Sequence, residues 1–110
     1  MAEDAKTLSI QTVPIAATAA GNNTLLAAVP GQRWVVKFMV LAFAGAETFQ
    51  FFSGATAVSG LMNAPAAAGP VPFGAAGEII MRAASVNQAW VLANTGGADI
   101  TGWAIVEMTR

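Results

Sequence analysis

"RWVVKFMVLAF", Arg33 to Phe43, is the stretch that decides the fold. Valine, phenylalanine and tryptophan dominate it, residues that suit a pleated strand more than a helix. The apolar run from Trp34 to Gly45 is about a dozen residues, against roughly 20 for a membrane-spanning helix, and Lys37 interrupts it. It therefore reads as a buried strand. Its even positions, Trp34, Val36, Phe38, Val40 and Ala42, are all apolar and form the expected core face. Its odd positions start polar at Arg33 and Lys37 and end apolar at Met39, Leu41 and Phe43. A strand covered on one side keeps the other side polar. The later odd positions thus need cover from a loop, a second strand layer or a neighbouring subunit.

The sequence on either side breaks into similar pieces. "KTLSIQTVP" alternates, with Leu8 and Ile10 as its first anchors and Pro14 ending or bending it. Gly21 to Asn23 and Pro30–Gly31 are turn signals, because glycine and asparagine tolerate positive φ and proline presets a turn. "ETFQFFSG" is a strand after a turn at Gly45–Ala46, and "ATAVSGLMNA" is a short strand broken at Gly60. The proline- and glycine-rich stretch from Pro65 to Gly77 is the place to cross between sheets. "EIIMRAAS", "QAWVLANTG" and "DITGWAIVEMT" close the chain as three strands, the last two joined by a hairpin turn at "NTGGAD". In the last strand Ile100, Ala104, Val106 and Met108 share one face, and Trp103 and Ile105 the other. About eight short strands at this spacing predict an all-β, single-domain antiparallel β-sandwich. One long crossover among them predicts an eight-stranded jelly roll. The sandwich is expected over residues 7–110, after an acidic, polar arm at 1–6 that should be mobile in the free protein and dock on a larger assembly.

Composition narrows the function. The chain has 110 residues, enough for one core. Hydrophobic residues make up 55% and charged residues 10%, against about 25% charged in an ordinary soluble domain. That leaves too few charges to clothe a monomer, and part of the apolar excess is expected to meet another protein. A net charge of −1 offers nothing to a nucleic acid. The start lacks the basic and apolar segments of a secretory signal. There is no cysteine, histidine or tyrosine, so the commonest general base and the thiolate metal ligands are missing. No cofactor or metal is expected.

No catalytic constellation emerges. Glu3, Asp4, Glu47, Glu78, Asp99 and Glu107 fall in or beside turns and strand ends and read as solvated surface. Ser9, Ser53, Ser59 and Ser85 have no histidine to activate them, and the G-x-S-x-G elbow is absent. The glycine-rich "GAAGE" and "SGATAVSG" lack the lysine and helix start of a phosphate loop. "NNT" at Asn22 to Thr24 fits a glycosylation acceptor but reads more simply as a turn. Trp34, Trp90 and Trp103 lie within apolar strands and read as core or interface; a sugar platform would surround an exposed ring with polar side chains.

Three segments together resemble small virion proteins of tailed bacteriophages: "GNNTLLAAVPGQR", "FFSGATAVSG" and the small-residue bridge ending in "PVPF". The likeness runs from about Ala19 to the end. It implies a β-sandwich, often a jelly roll, that decorates capsids or sits in tails and fibres as a symmetric oligomer. It brings no catalytic residues, so the chain is not expected to be an enzyme. The expectation is a capsid decoration or cement protein on the virion surface, made in the host cytoplasm and partnered by the major capsid protein, with a homotrimer implied by the likeness alone. Met39, Leu41 and Phe43 are then the expected subunit contact. The alternative is a tail or fibre module that binds a host-surface glycan or receptor, to which the tryptophans would contribute.

Overall fold

In a computed structural model, residues 7–74, 79–96 and 98–110 are described. The arm at 1–6 lies outside them. The described residues form strands and turns without a helix. The strands are β1 (Thr7–Ala17), β2 (Gly21–Leu26), β3 (Arg33–Phe43), β4 (Glu47–Ser53), β5 (Thr56–Ala57), β6 (Met62–Ala64), β7 (Ala68–Phe73), β8 (Met81–Arg82), β9 (Trp90–Asn94) and β10 (Ile100–Thr109). They build two antiparallel sheets that pack into a single β-sandwich domain, as the alternation predicts. The front sheet has the order β1-β10-β3-β7, with β8 also paired to β3. The back sheet has the order β2-β9-β4-β5, with β6 also paired to β4.

The expected eight strands appear as ten because one of them is split and the proline-rich stretch, read only as a crossover, contributes β7. "ATAVSGLMNA" gives β5 and β6 on either side of Gly60, and both pair with β4. Within "EIIMRAAS" only Met81 and Arg82 pair, with Val36 and Val35. The proline-rich stretch carries the crossover: β6 belongs to the back sheet and β7 to the front. Pro14 neither ends nor breaks β1. It sits within an edge strand opposite Trp103, where the missing N–H deprives no neighbour.

Aromatic rings run through the space between the sheets. Phe43 meets Phe49 at 5.2 Å, Phe49 meets Phe51 edge-on at 6.1 Å, Phe51 stacks on Trp90 at 5.7 Å, and Trp90 meets Trp34 at 5.6 Å. Trp34 and Phe43 come from the two ends of β3, and the other three rings from β4 and β9. Each ring buries a large apolar area, and offset or edge contacts of this kind add about 0.5–1.5 kcal/mol per pair. Val13, Ile15 and Ala17 close the core from β1, and Ile100, Ala104, Val106 and Met108 from β10. Leu8 and Ile10, expected as anchors, are exposed instead.

One irregularity in β3 sets which side chains face the core. Ile105 pairs with Phe38 and Val106 pairs with Val36, so Lys37 has no partner across β10. This is a β-bulge, which inserts one extra residue into one strand. Because side chains alternate with period two, one extra residue exchanges the faces beyond it. Trp34 and Val36 point inward before the bulge; Met39, Leu41 and Phe43 point inward after it.

Candidate docking face

Met39, Leu41 and Phe43 are 1%, 0% and 7% exposed and belong to the core. The back sheet of the same chain covers them, so they do not form a surface of the folded chain. The bulge at Lys37 corrects the reading of β3: its outer face after the bulge is Phe38, Val40 and Ala42, all half-buried.

These three stand in rows that cross the front sheet. Pro14, Trp103, Val40 and Pro72 make one row, from β1 to β7. Thr12, Ile105 and Phe38 make the next, and Ala16, Thr101 and Ala42 the one beyond. Trp103 is 40% exposed and packs its ring on Phe38 at 5.6 Å. In these rows the only polar side chains are the threonines. Charge enters at one end, where Ile10, Glu107, Val35 and Arg82 form a row.

The approach of β10 to β3 at the centre of this face depends on Gly102. Its φ is +146°, and a Cβ there would lie 1.8 Å from the carbonyl oxygen of Val40. Only glycine fits that backbone and that contact. The residue beside Trp103 is therefore fixed by packing, and Trp103 is held in place on the outer face.

The tryptophans divide. Trp34 and Trp90 lie in the core as expected. The indole N–H of Trp34 donates to the Gln88 carbonyl at 3.1 Å, and Trp90 Nε1 has no partner among the described residues. Trp103 alone of the three reaches solvent.

Among the described residues the carboxylates do not assemble a catalytic pair. Glu47, expected at the surface, is only 4% exposed. Its Oε1 accepts hydrogen bonds from the Gly96 N–H at 2.6 Å, the Thr48 N–H at 3.1 Å and the Thr95 hydroxyl at 3.4 Å. Buried carboxylates of this kind satisfy backbone donors, and this one ties the start of β4 to the β9–β10 turn. Asn94 completes the tie: its Oδ1 accepts from the Gly96 N–H, and its amide donates to the Ala98 carbonyl. Nothing in the spacing of residues 47 and 96 announces this pairing. Glu78 and the arm's Glu3 and Asp4 lie outside the described residues. Ser53 is buried, accepts from the Ala84 N–H at 2.9 Å and donates to the Gln88 side chain. Ser59 accepts from the Phe51 N–H at 2.9 Å. Both hydroxyls serve the backbone.

A second feature is a cavity of about 490 Å³ at the rim between β6 and β7, walled by Phe43, Phe49, Met62, Val71 and Phe73. Asn63 is the one polar side chain in its lining. Among the described residues, no group of three acidic side chains stands close enough to hold a metal ion, and no helix is long and apolar enough to cross a membrane.

No protein-family model matches this chain, and neither the curated proteins nor the solved structures contain a match.

Proposed function

We propose that this chain is a structural protein of a bacteriophage virion, a decoration or cement protein that binds the capsid and reinforces it. The observation that carries the reading is the outer face of the front sheet. It is broad, apolar and centred on the Trp103–Phe38 pair, and patches of this kind on soluble chains mark protein contacts. The resemblance of "GNNTLLAAVPGQR", "FFSGATAVSG" and "PVPF" to phage virion proteins supplies the setting. The strand orders support a jelly-roll description. With β5 and β6 taken as one position and β7 and β8 as another, successive positions alternate between sheets except where β4 leads into β5. Viral capsid domains use this architecture. The partners on this reading are copies of the chain itself and a major capsid protein.

The test is mechanical. Shells emptied or heated with the protein bound should survive longer than bare shells, and the protein should sediment with them. Equal survival together with failure to co-sediment rejects the proposal.

A second reading, a tail or fibre module for a host-surface glycan, draws on the exposure of Trp103. Its neighbours on the face are Pro14, Val40, Thr101 and Ile105, which offer one hydroxyl to a sugar. A shift in tryptophan fluorescence on adding host glycan, lost in Trp103→Ala, would favour this reading over the capsid one.

A further inference from the structure

Resting on the assembly reading above, we infer that the outer face of the front sheet is the contact between two copies of this chain, packed face to face about a two-fold axis.

Three properties of the face carry this. The first is size. Four strand positions about 4.8 Å apart, three of them 10 or 11 residues long and the fourth made of β7 with 6 and β8 with 2, give at 3.3 Å rise a face on the order of 600 Å². Two such faces together bury about 1,200 Å², above the roughly 1,000 Å² that a specific interface needs. The second is shape. An axis parallel to the strands, between β10 and β3, lays β10 of one copy over β3 of the other. That sets Trp103 over Val40 of the second copy and Phe38 over its Ile105, and the reverse. Each aromatic ring then meets an aliphatic side chain at the centre of the contact, where binding energy concentrates. The third is charge. The same axis sets Glu107 over Val35 and Arg82 over Ile10, so no two like charges of that row meet. Arg82 is exposed and can lie along Ile10, which is 65% exposed, with its guanidinium in water.

An isologous contact uses the same patch on both subunits, and that requires a patch complementary to itself. The large-against-small pairing in the central rows meets the requirement. The outer face of the back sheet is mixed: beside the apolar row of Thr24, Val91, Phe52 and Ala57, the row of Asn22, Ala93 and Gln50 sets polar amides at its centre, and Gln50 donates to the Ser59 carbonyl.

The chain has no cysteine, so one introduced thiol reports one position. Val40→Cys, treated with a short bis-maleimide, should yield covalent dimer at least tenfold more efficiently than Asn22→Cys on the back sheet. The untreated protein should sediment at twice the 11.2 kDa of the chain. Trp103→Lys should sediment as single chains while keeping its circular dichroism and cooperative melting. Single chains in the unmodified protein, or a mass three times that of the chain, overturn the two-fold contact. Co-sedimentation of Trp103→Lys with shells separates this inference from the reading beneath it. If the unmodified chain is monomeric and Trp103→Lys no longer binds shells, the face serves a capsid protein; the inference fails and the assembly reading stands. If the unmodified chain is monomeric and Trp103→Lys binds shells normally, the inference fails, as does the role given to the face.

Discussion

The two sheets of this sandwich share one core but present different outer faces. On the front sheet, three rows crossing β1, β10 and β3 carry Pro14, Trp103, Val40, Ile105, Phe38 and two alanines, with threonine as their only polar residue type. On the back sheet one row carries Asn22 with Gln50 and another Thr48 with Asn63, while the row between Thr24 and Ala57 is apolar, with Val91 and Phe52. Gln50 donates its amide to the Ser59 carbonyl, and Thr48 to the Asn63 side chain. An antiparallel sheet with one face on the core is expected to be polar on the other. The back sheet obeys in two of these three rows, whereas each of the three front rows is apolar but for a threonine. The difference separates what the fold needs from what it does not need. The fold needs the inner faces of both sheets; the apolar outer rows of the front sheet are surplus to it and therefore available for assembly.

The largest effect is expected where the front face depends on backbone geometry. Gly102→Ala drives a Cβ into the Val40 carbonyl at a φ that side chains rarely adopt. It should destabilise the fold by about 3 kcal/mol or more, at the upper end for single substitutions, as measured by denaturant unfolding. A loss under about 0.5 kcal/mol would mean that β10 and β3 are not this close.

Next comes the contrast between neighbours in β3. Leu41→Ala removes a fully buried side chain and should cost about 2–5 kcal/mol. Val40→Ala, one residue away on the outer face, should cost well under half as much in the isolated chain. Equal losses would erase the distinction between inner and outer faces.

Glu47 belongs to neither face, and its removal tests the tie at the end of the sandwich. Glu47→Ala leaves the Gly96 and Thr48 N–H groups without their acceptor and should cost about 1–3 kcal/mol. Glu47→Gln keeps the acceptor oxygen and should recover part of that loss. A neutral Glu47→Ala would show that water replaces the carboxylate without penalty.

The smallest effects are expected on the outer faces themselves. Trp103→Lys on the front and Asn22→Lys on the back should each change the stability of the isolated chain by about 1 kcal/mol or less. They should part company in association, which Trp103→Lys abolishes and Asn22→Lys leaves intact. If both behave alike, the two faces are equivalent and the comparison has no functional content.

How much of this was legible in the sequence follows from how local each signal is. The all-β class and most strands rest on alternation and on glycine and proline punctuation, both short-range, and the structure reproduces them; Gly21 to Asn23, read as a turn, instead open β2 and pair with Asn94, Ala93 and Leu92. That Trp103 and Ile105 share the face opposite Ile100, Ala104, Val106 and Met108 was also legible, because β10 keeps one alternation from Ile100 to Met108; which of its faces lies outward was not. The bulge was not. Lys37 is neither glycine nor proline, and the extra residue shows only in the pairing with β10, nearly seventy positions on. One unseen residue was enough to exchange the inner and outer sets of β3 and to move the expected contact from Phe38, Val40 and Ala42 to Met39, Leu41 and Phe43. The burial of Glu47 was hidden for the same reason, since two of its three donors, Thr95 and Gly96, lie in a turn 48 and 49 residues away. Pro14 misled in the opposite sense, because a proline signals a break unless the strand is known to lie at an edge.

The most direct test of the two-faced front sheet is thiol reactivity along β3. Cysteine placed singly at positions 38 to 43, in a chain that has none of its own, can be labelled in native protein diluted until it sediments as single chains. The account predicts fast labelling at 38, 40 and 42, slow labelling at 39, 41 and 43, and loss of the fast set when the protein is concentrated. Fast labelling at 39, 41 and 43 with protection at 38, 40 and 42 would contradict it, because the strand would then run without the bulge and its outer face would carry Met39, Leu41 and Phe43 instead of Phe38, Val40 and Ala42.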